Sequence, residues 1–128
     1  MILAFYAQKV LRSWAENQRQ LSPAELNRLN RELYGIELDM AHTLFDMRHT
    51  EQSKQQTDYF LERVDRHQFP DLVAQALNLK GGLAHRERDP QFAIRLVADS
   101  LAVYQGAGNR VGAAAAYSNL GILHIGLG

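Results

Sequence analysis

The segment Arg110–Gly128, RVGAAAAYSNLGILHIGLG, restricts the possible folds of this chain more than any other. Four consecutive alanines, Ala113 to Ala116, let a neighbouring helix approach closely. Tyr117, Leu120 and Leu123/His124 follow at helical spacing, and Gly121 stands where a partner helix is expected to pack tightest. A weaker copy, ALNLKGGLAHRERDPQFAIRLVADSLAVYQ, lies upstream, and aligning its Gly81 with Gly121 gives a period of 40 residues. At that period each unit is a helix pair that buries its apolar face only by stacking on its neighbours. No segment alternates with period two for long, so no sheet is expected. The expected fold is all-α: antiparallel helix pairs stacked as a short right-handed superhelix, an α-solenoid.

Six helices can be placed. Residues 1 to about 18 form an amphipathic helix with Leu3, Ala7, Val10 and Trp14 as its stripe, widened by Tyr6 and Leu11. Ser22-Pro23-Ala24-Glu25 starts the second with a hydroxyl cap, a proline at the first position and a carboxylate three residues past the cap. Leu26, Leu29, Leu33, Ile36, Met40, Leu44 and Met47 supply its expected core stripe, to about Arg48. Gln52–Gln56 reads as a loop or frayed helix start, and Tyr59, Phe60, Leu61 and Val64 mark the third helix. Phe69-Pro70-Asp71 breaks the chain before a fourth, with Leu72, Val73, Ala76, Leu77, Leu83 and Ala84 inward. Asp89-Pro90 opens a fifth carrying Ala93, Val97, Leu101 and Tyr104, and Gly106, Gly108 and Asn109 turn into the sixth. The expected organisation is one domain over 1–128, with an N-terminal helix (1–20), a degenerate pair (22–68), a well-formed pair (70–106) and the first helix of a further repeat (110–128). The sequence ends where the second helix of that repeat is expected, which suggests either a longer array or a second subunit over the last helix. A homodimer through Ala115, Ile122 and Ile125 is the expected form of the second option.

Composition narrows function. Fourteen basic residues balance fourteen acidic ones, which argues against a nucleic-acid or anionic-membrane partner. There is no cysteine, hence no disulfide, thiolate nucleophile or cysteine-based zinc site. The apolar opening Ile2–Ala7 is too short for a membrane span or a signal-peptide core, so a cytoplasmic location is expected.

At the residues of the two copies the chain resembles the tetratricopeptide repeat family, in the forty-residue form typical of bacterial regulatory proteins and the kinesin light chain. The likeness covers about Ala74 to Gly128 and extends faintly over Leu26–Val64. Tyr117, Leu120, Gly121 and Gly128 fall on signature positions in the last copy, and Leu77, Gly81, Ala84, Ala93 and Ser100-Leu101 in the preceding one. Lys80 departs where an apolar residue is usual, Arg88 stands where glycine is common, and Ala41 takes the glycine position of the first pair. The resemblance implies a concave groove lined by the first helix of each pair, holding extended peptides or partner helices. Mapped by register, its positions are Asp39, His42 and Asp46, then Asn78, His85 and Arg86, then Ser118, Asn119 and Ile122. Asn119 is the best anchor, since an amide can both donate to and accept from a peptide bond. A bond to a neighbouring turn is its alternative use.

Other chemistry is weaker. Asp39, His42, Asp46 and His49 form one stripe of the second helix, a candidate zinc site or acid–base pair. The two histidines are about 10.5 Å apart along the helix axis, too far for one ion without a bend. A solvated or groove-lining face is the better reading. Neither a phosphate loop nor a nucleophile elbow is present, and Arg63, Arg66 and His67 interleave with Glu62 and Asp65 as on a solvated face. Trp14 with Tyr6 and Val10 is expected to pack on the second helix, and His124 to be a satisfied core histidine. The function expected is a non-enzymatic protein or peptide interaction module, the sensory or regulatory part of a larger signalling protein, without cofactor or metal. A helical enzyme fragment or metal-binding domain using the Asp39 stripe is the alternative.

Overall fold

The structure, a computed structural model, describes residues 2–18 and 21–127, and side chains for 4–13 and 21–127. The expectations for the side chains of Leu3 and Trp14, and for Gly128, lie outside the described residues. The described chain is all-helical: α1 (Ile2–Gln18), α2 (Pro23–Asp46), α3 (Thr50–Arg63), α4 (Pro70–Arg86), α5 (Pro90–Gly106) and α6 (Arg110–Leu127). No helix among these residues is long and apolar enough to cross a membrane.

Helix starts follow the local chemistry. Ser22 Oγ accepts from Glu25 N at 3.1 Å, and Asp89 Oδ1 from Phe92 N at 3.2 Å, each just before a proline. Asn109 Oδ1 accepts from Gly112 N at 2.9 Å and so caps α6. Each such cap is worth about 1 kcal/mol. The ends of α2, α4 and α5 share one pattern. His49 N donates to Leu44 O, Asp89 N to Ala84 O and Asn109 N to Tyr104 O, the outer bond of a Schellman motif. The residue before each donor has positive φ: Arg48 (64°), Arg88 (63°) and Gly108 (69°). Arg88 therefore occupies a left-handed position where glycine is at ease.

The forty-residue period reaches further back than the sequence suggests. Arg48 and Arg88 share a backbone conformation, and the starts of α3 and α5, and of α4 and α6, are likewise 40 residues apart. Each helix packs on the next, and α4 also touches α2 and α6. One layer thus holds α2, α4 and α6, with α3 and α5 on its other side. The core runs through Tyr34, Leu38, Phe60, Phe69, Val73, Leu77, Val97, Tyr104, Ala116 and Leu123. Tyr34 meets the edges of Phe60 and Phe69 at centroid distances of 5.4 and 5.5 Å.

Several expectations about faces are corrected. Among the described side chains of α1 the buried ones are Ala4 and Gln8, while Tyr6, Ala7, Val10 and Leu11 are exposed, because the side of α1 that meets α2 and α3 carries Ala4, Phe5, Gln8 and Arg12. In α2 the buried face is Leu33, Tyr34, Glu37, Leu38, Ala41 and Leu44, whereas Leu26, Ile36 and Met47 are exposed. That rotation sets Ala41, fully buried, at the approach of α3, where Ser53 Oγ donates to Ala41 O at 2.8 Å. The segment read as loop or frayed start is ordered helix, and its polar Ser53 and Gln56 are buried, as is Thr57 just after it. Thr57 satisfies its hydroxyl on Ser53 O at 2.8 Å. Lys80 ion-pairs with Asp58 of α3 at 2.9 Å, which accounts for a cation in that position.

In α6 the tight contact is not at Gly121. Nothing lies within 4 Å of a Cβ built there, and the residue is exposed. The tight contacts are elsewhere. A Cβ on Gly81 would meet Val97 Cγ2 at 2.6 Å, and one on Gly112 would enter the Tyr104 ring. Ala116 is buried, but Ala114, Ala115 and His124 are exposed, so His124 is not a core histidine.

Candidate functional site

The groove starts from three helices of one layer. Residues 40 apart fall into columns, His42, Gly82 and Ile122 in one and Asp39, Leu79 and Asn119 in another, and all of these but Asp39 line one cavity. That cavity opens between α2, α4 and α6 and measures about 320 Å³. Its polar lining is His42, Asp46, Asn78, His85 and Asn119, over an apolar floor that includes Phe45, Leu79, Val97, Leu123 and the exposed Ile122. Six of the nine positions expected on the groove are thereby brought together: His42, Asp46, Asn78, His85, Asn119 and Ile122. Asp39 and Ser118 are exposed and do not line the cavity.

Asn119 and Asn78 meet directly. Asn119 Nδ2 donates to Asn78 Oδ1 at 3.0 Å, joining α6 to α4 across 41 residues of sequence. The expected alternative, a bond to a neighbouring turn, is not what forms. The bond uses one amide hydrogen and one lone pair, so Asn78 Nδ2 and Asn119 Oδ1 keep capacity for a donor–acceptor pair with a peptide group. Both side chains are half-buried, so they are oriented yet reachable from the cavity.

Arg86 takes a different position from the one expected. Its guanidinium lies 3.4 Å from the centroid of the Phe45 ring, and Nη1 donates to the Phe45 carbonyl. On another side the same ring faces Gly82, where an added Cβ would meet Phe45 Cζ at 3.1 Å. Gly82 therefore admits the ring and Arg86 holds it. The cation thus shapes the floor instead of lining the groove. Phe45, Leu79, Val97 and Leu123 were not anticipated as lining residues. The column repeat contains the signal for Leu79, which lies 40 residues before Asn119, but Phe45 is placed by the rotation of α2, which the apolar stripe misreports.

The Asp39–His49 stripe does not gather. All four side chains are exposed, and only His42 and Asp46 reach the cavity. Among the described residues no three His, Asp or Glu side chains are close enough to hold a metal ion. Arg66, His67, Glu62 and Asp65 are exposed as expected of a solvated face, whereas Arg63 turns inward to ion-pair with the buried Glu37.

No family model, curated protein or solved structure matches the chain.

Proposed function

We propose that this chain is a cytoplasmic interaction module whose α2–α4–α6 cavity holds an extended peptide, as the concave face of a short right-handed tetratricopeptide-like superhelix in a larger regulatory protein. The observation that carries this reading is the convergence of His42, Asp46, Asn78, His85, Asn119 and Ile122 on one cavity with an apolar floor. Ligand sites combine an apolar lining with a few placed polar groups, and this volume is at the small end of their range. The cavity suits one large apolar side chain of a peptide, with the Asn78–Asn119 pair meeting the adjoining backbone. Its rim carries Asp46 beside two histidines, so affinity should be micromolar and only modestly sensitive to salt.

Selection from a displayed random-peptide library against the immobilised chain tests the reading. Selected peptides should share an apolar anchor and lose affinity with Asn119→Ala and with Ile122→Asp. Binders indifferent to Asn78, Asn119 and Ile122 together would place the interaction surface elsewhere.

A second reading has its own observation. Val111, Ile122 and Ile125 leave α6 an exposed apolar side, with Ile125 81% accessible. A self-complementary contact between two copies of α6 would cover it. Ile122 belongs to both surfaces, so dimerisation and peptide binding would compete there.

A further inference from the structure

A second cavity, of about 460 Å³, lies between α1 and α3 and shares no residue with the groove. Among the described residues its walls are Phe5, Tyr6, Gln8, Lys9, Arg12, Tyr59 and Arg63, with three cations, three aromatic rings and no carboxylate. Phe5 and Tyr59 pack with ring centroids 4.3 Å apart, and the Arg63 guanidinium stands 3.7 Å from the Tyr59 centroid. Arg12 and Arg63 both approach Tyr34, at 5.6 and 5.8 Å from its centroid.

The neighbouring carboxylate cannot balance this charge alone. Glu37 is 2% exposed; its Oε1 is paired with Arg63, and its Oε2 is buried without a partner among the described residues. Burial, and then the like charge of Arg12, push the Arg63 guanidinium down to about 10, still far enough above neutral pH to leave it charged. The hydrogen-bond inventory points the same way. Gln8 is 5% exposed, and its Nε2 finds no partner among the described residues, nor do Arg12 Nε and Nη2. All three of these buried atoms are on residues of the cavity wall and all are donors. Buried donors are nearly always satisfied, and a group of them beside paired cations calls for an acceptor that is itself anionic.

We propose that the α1–α3 cleft binds a small aromatic anion, its carboxylate or phosphate taken by Gln8, Lys9 and Arg12 and its ring seated against Phe5, Tyr6 and Tyr59. Two guanidinium planes and a ring-lined wall favour a planar body, and an inorganic anion would use only part of the site. The site is separate from the peptide groove, and its success or failure leaves that reading untouched.

The test is titration of the whole chain with phenyl phosphate, benzoate, inorganic phosphate and chloride, following the arginine Nε–Hε resonances of Arg12 and Arg63 by NMR. Saturable shifts of both are expected with the two aromatic anions, at lower concentration than with inorganic phosphate. Tighter phenyl phosphate would identify a phosphate ligand, and tighter benzoate a carboxylate. Arg12→Gln should weaken the better probe by about tenfold or more, the loss of a charge-assisted contact, while Asn119→Ala leaves it unchanged. Should Arg12→Gln lose its fold, Lys9→Gln at an exposed position takes its place, with an expected loss of about threefold. Resonances that ignore every anion, or that follow chloride as closely as the aromatic probes, would overturn the proposal and indicate that Arg12 turns to Glu37 Oε2 in solution.

Discussion

Gly81→Ala offers the sharpest test of how the helices pack. Gly81 is in the interior of α4, where replacing glycine by alanine ordinarily gains about 0.5–1 kcal/mol of helix stability. Here the new methyl would stand 2.6 Å from Val97 Cγ2 and 3.3 Å from the Ala93 carbonyl oxygen. Valine in a helix has one strongly preferred rotamer, so Cγ2 cannot swing aside cheaply. Overpacking of this kind costs about 1–3 kcal/mol, which exceeds the propensity gain. The net expectation for Gly81→Ala is a loss of about 1 kcal/mol, or roughly 4 °C in thermal midpoint for a chain of this size. Val97→Ala removes the obstructing methyl and should cost about 1–3 kcal/mol on its own as a buried truncation. In that background the nearest remaining atom is the carbonyl at 3.3 Å, which needs to yield by only a few tenths of an ångström, so Gly81→Ala should become neutral or mildly stabilising.

The signature is therefore coupling of about 1–3 kcal/mol between the two positions, measured as a double-mutant cycle by urea denaturation. Additivity within about 0.5 kcal/mol would refute the close approach of α4 and α5 at this point. Gly121→Ala is the internal control. With nothing within 4 Å of its Cβ, it should stabilise by up to about 1 kcal/mol. A loss there would mean that α6 is covered in solution.

Three further outcomes are expected. Asn119→Ala should weaken a groove-selected peptide by about 1–2 kcal/mol in calorimetry while costing less than about 1 kcal/mol of stability, since its bond to Asn78 is partly solvated; the reverse ordering would make the pair structural. Ile125→Asp should abolish any self-association seen by sedimentation at tens of micromolar without touching the groove, and a parent chain already monomeric there would remove the dimer reading. The Arg31 bond holds the Asp71 carboxyl below its ordinary value of 3.8, against the opposing effect of burial, so the pair's stabilisation is complete above that value and lost as pH falls through the depressed one. With side chains 46% and 32% exposed the contribution is about 0.5 kcal/mol, and Asp71→Asn should lose that at neutral pH and match the parent near pH 2 (equal gaps at both would exclude the pair).

What the sequence conveyed depended on which physical quantity each residue reports. Helix boundaries were legible because Ser22, Asp89 and the three prolines act within a few residues of themselves. Six of the nine positions singled out by register line one cavity because a 40-residue period carries one helix face onto the next whatever the side chains are. Helix rotation was less so. In α2 the apolar stripe pointed to Ile36 and Met47, yet the buried face includes Glu37, whose ion pair with Arg63 compensates a charge that hydrophobic patterning would send outward. In α3, Ser53 and Thr57 are buried because their hydroxyls bond to helix carbonyls, which gives short polar side chains the packing role that Ala93 and Val97 fill 40 residues later. Gly81 and Gly121 share a register position but not an environment: α5 lies against the first, and no described residue lies against the second. A glycine in a repeat thus reports where a neighbouring helix can approach, and only the packed structure reports whether one does.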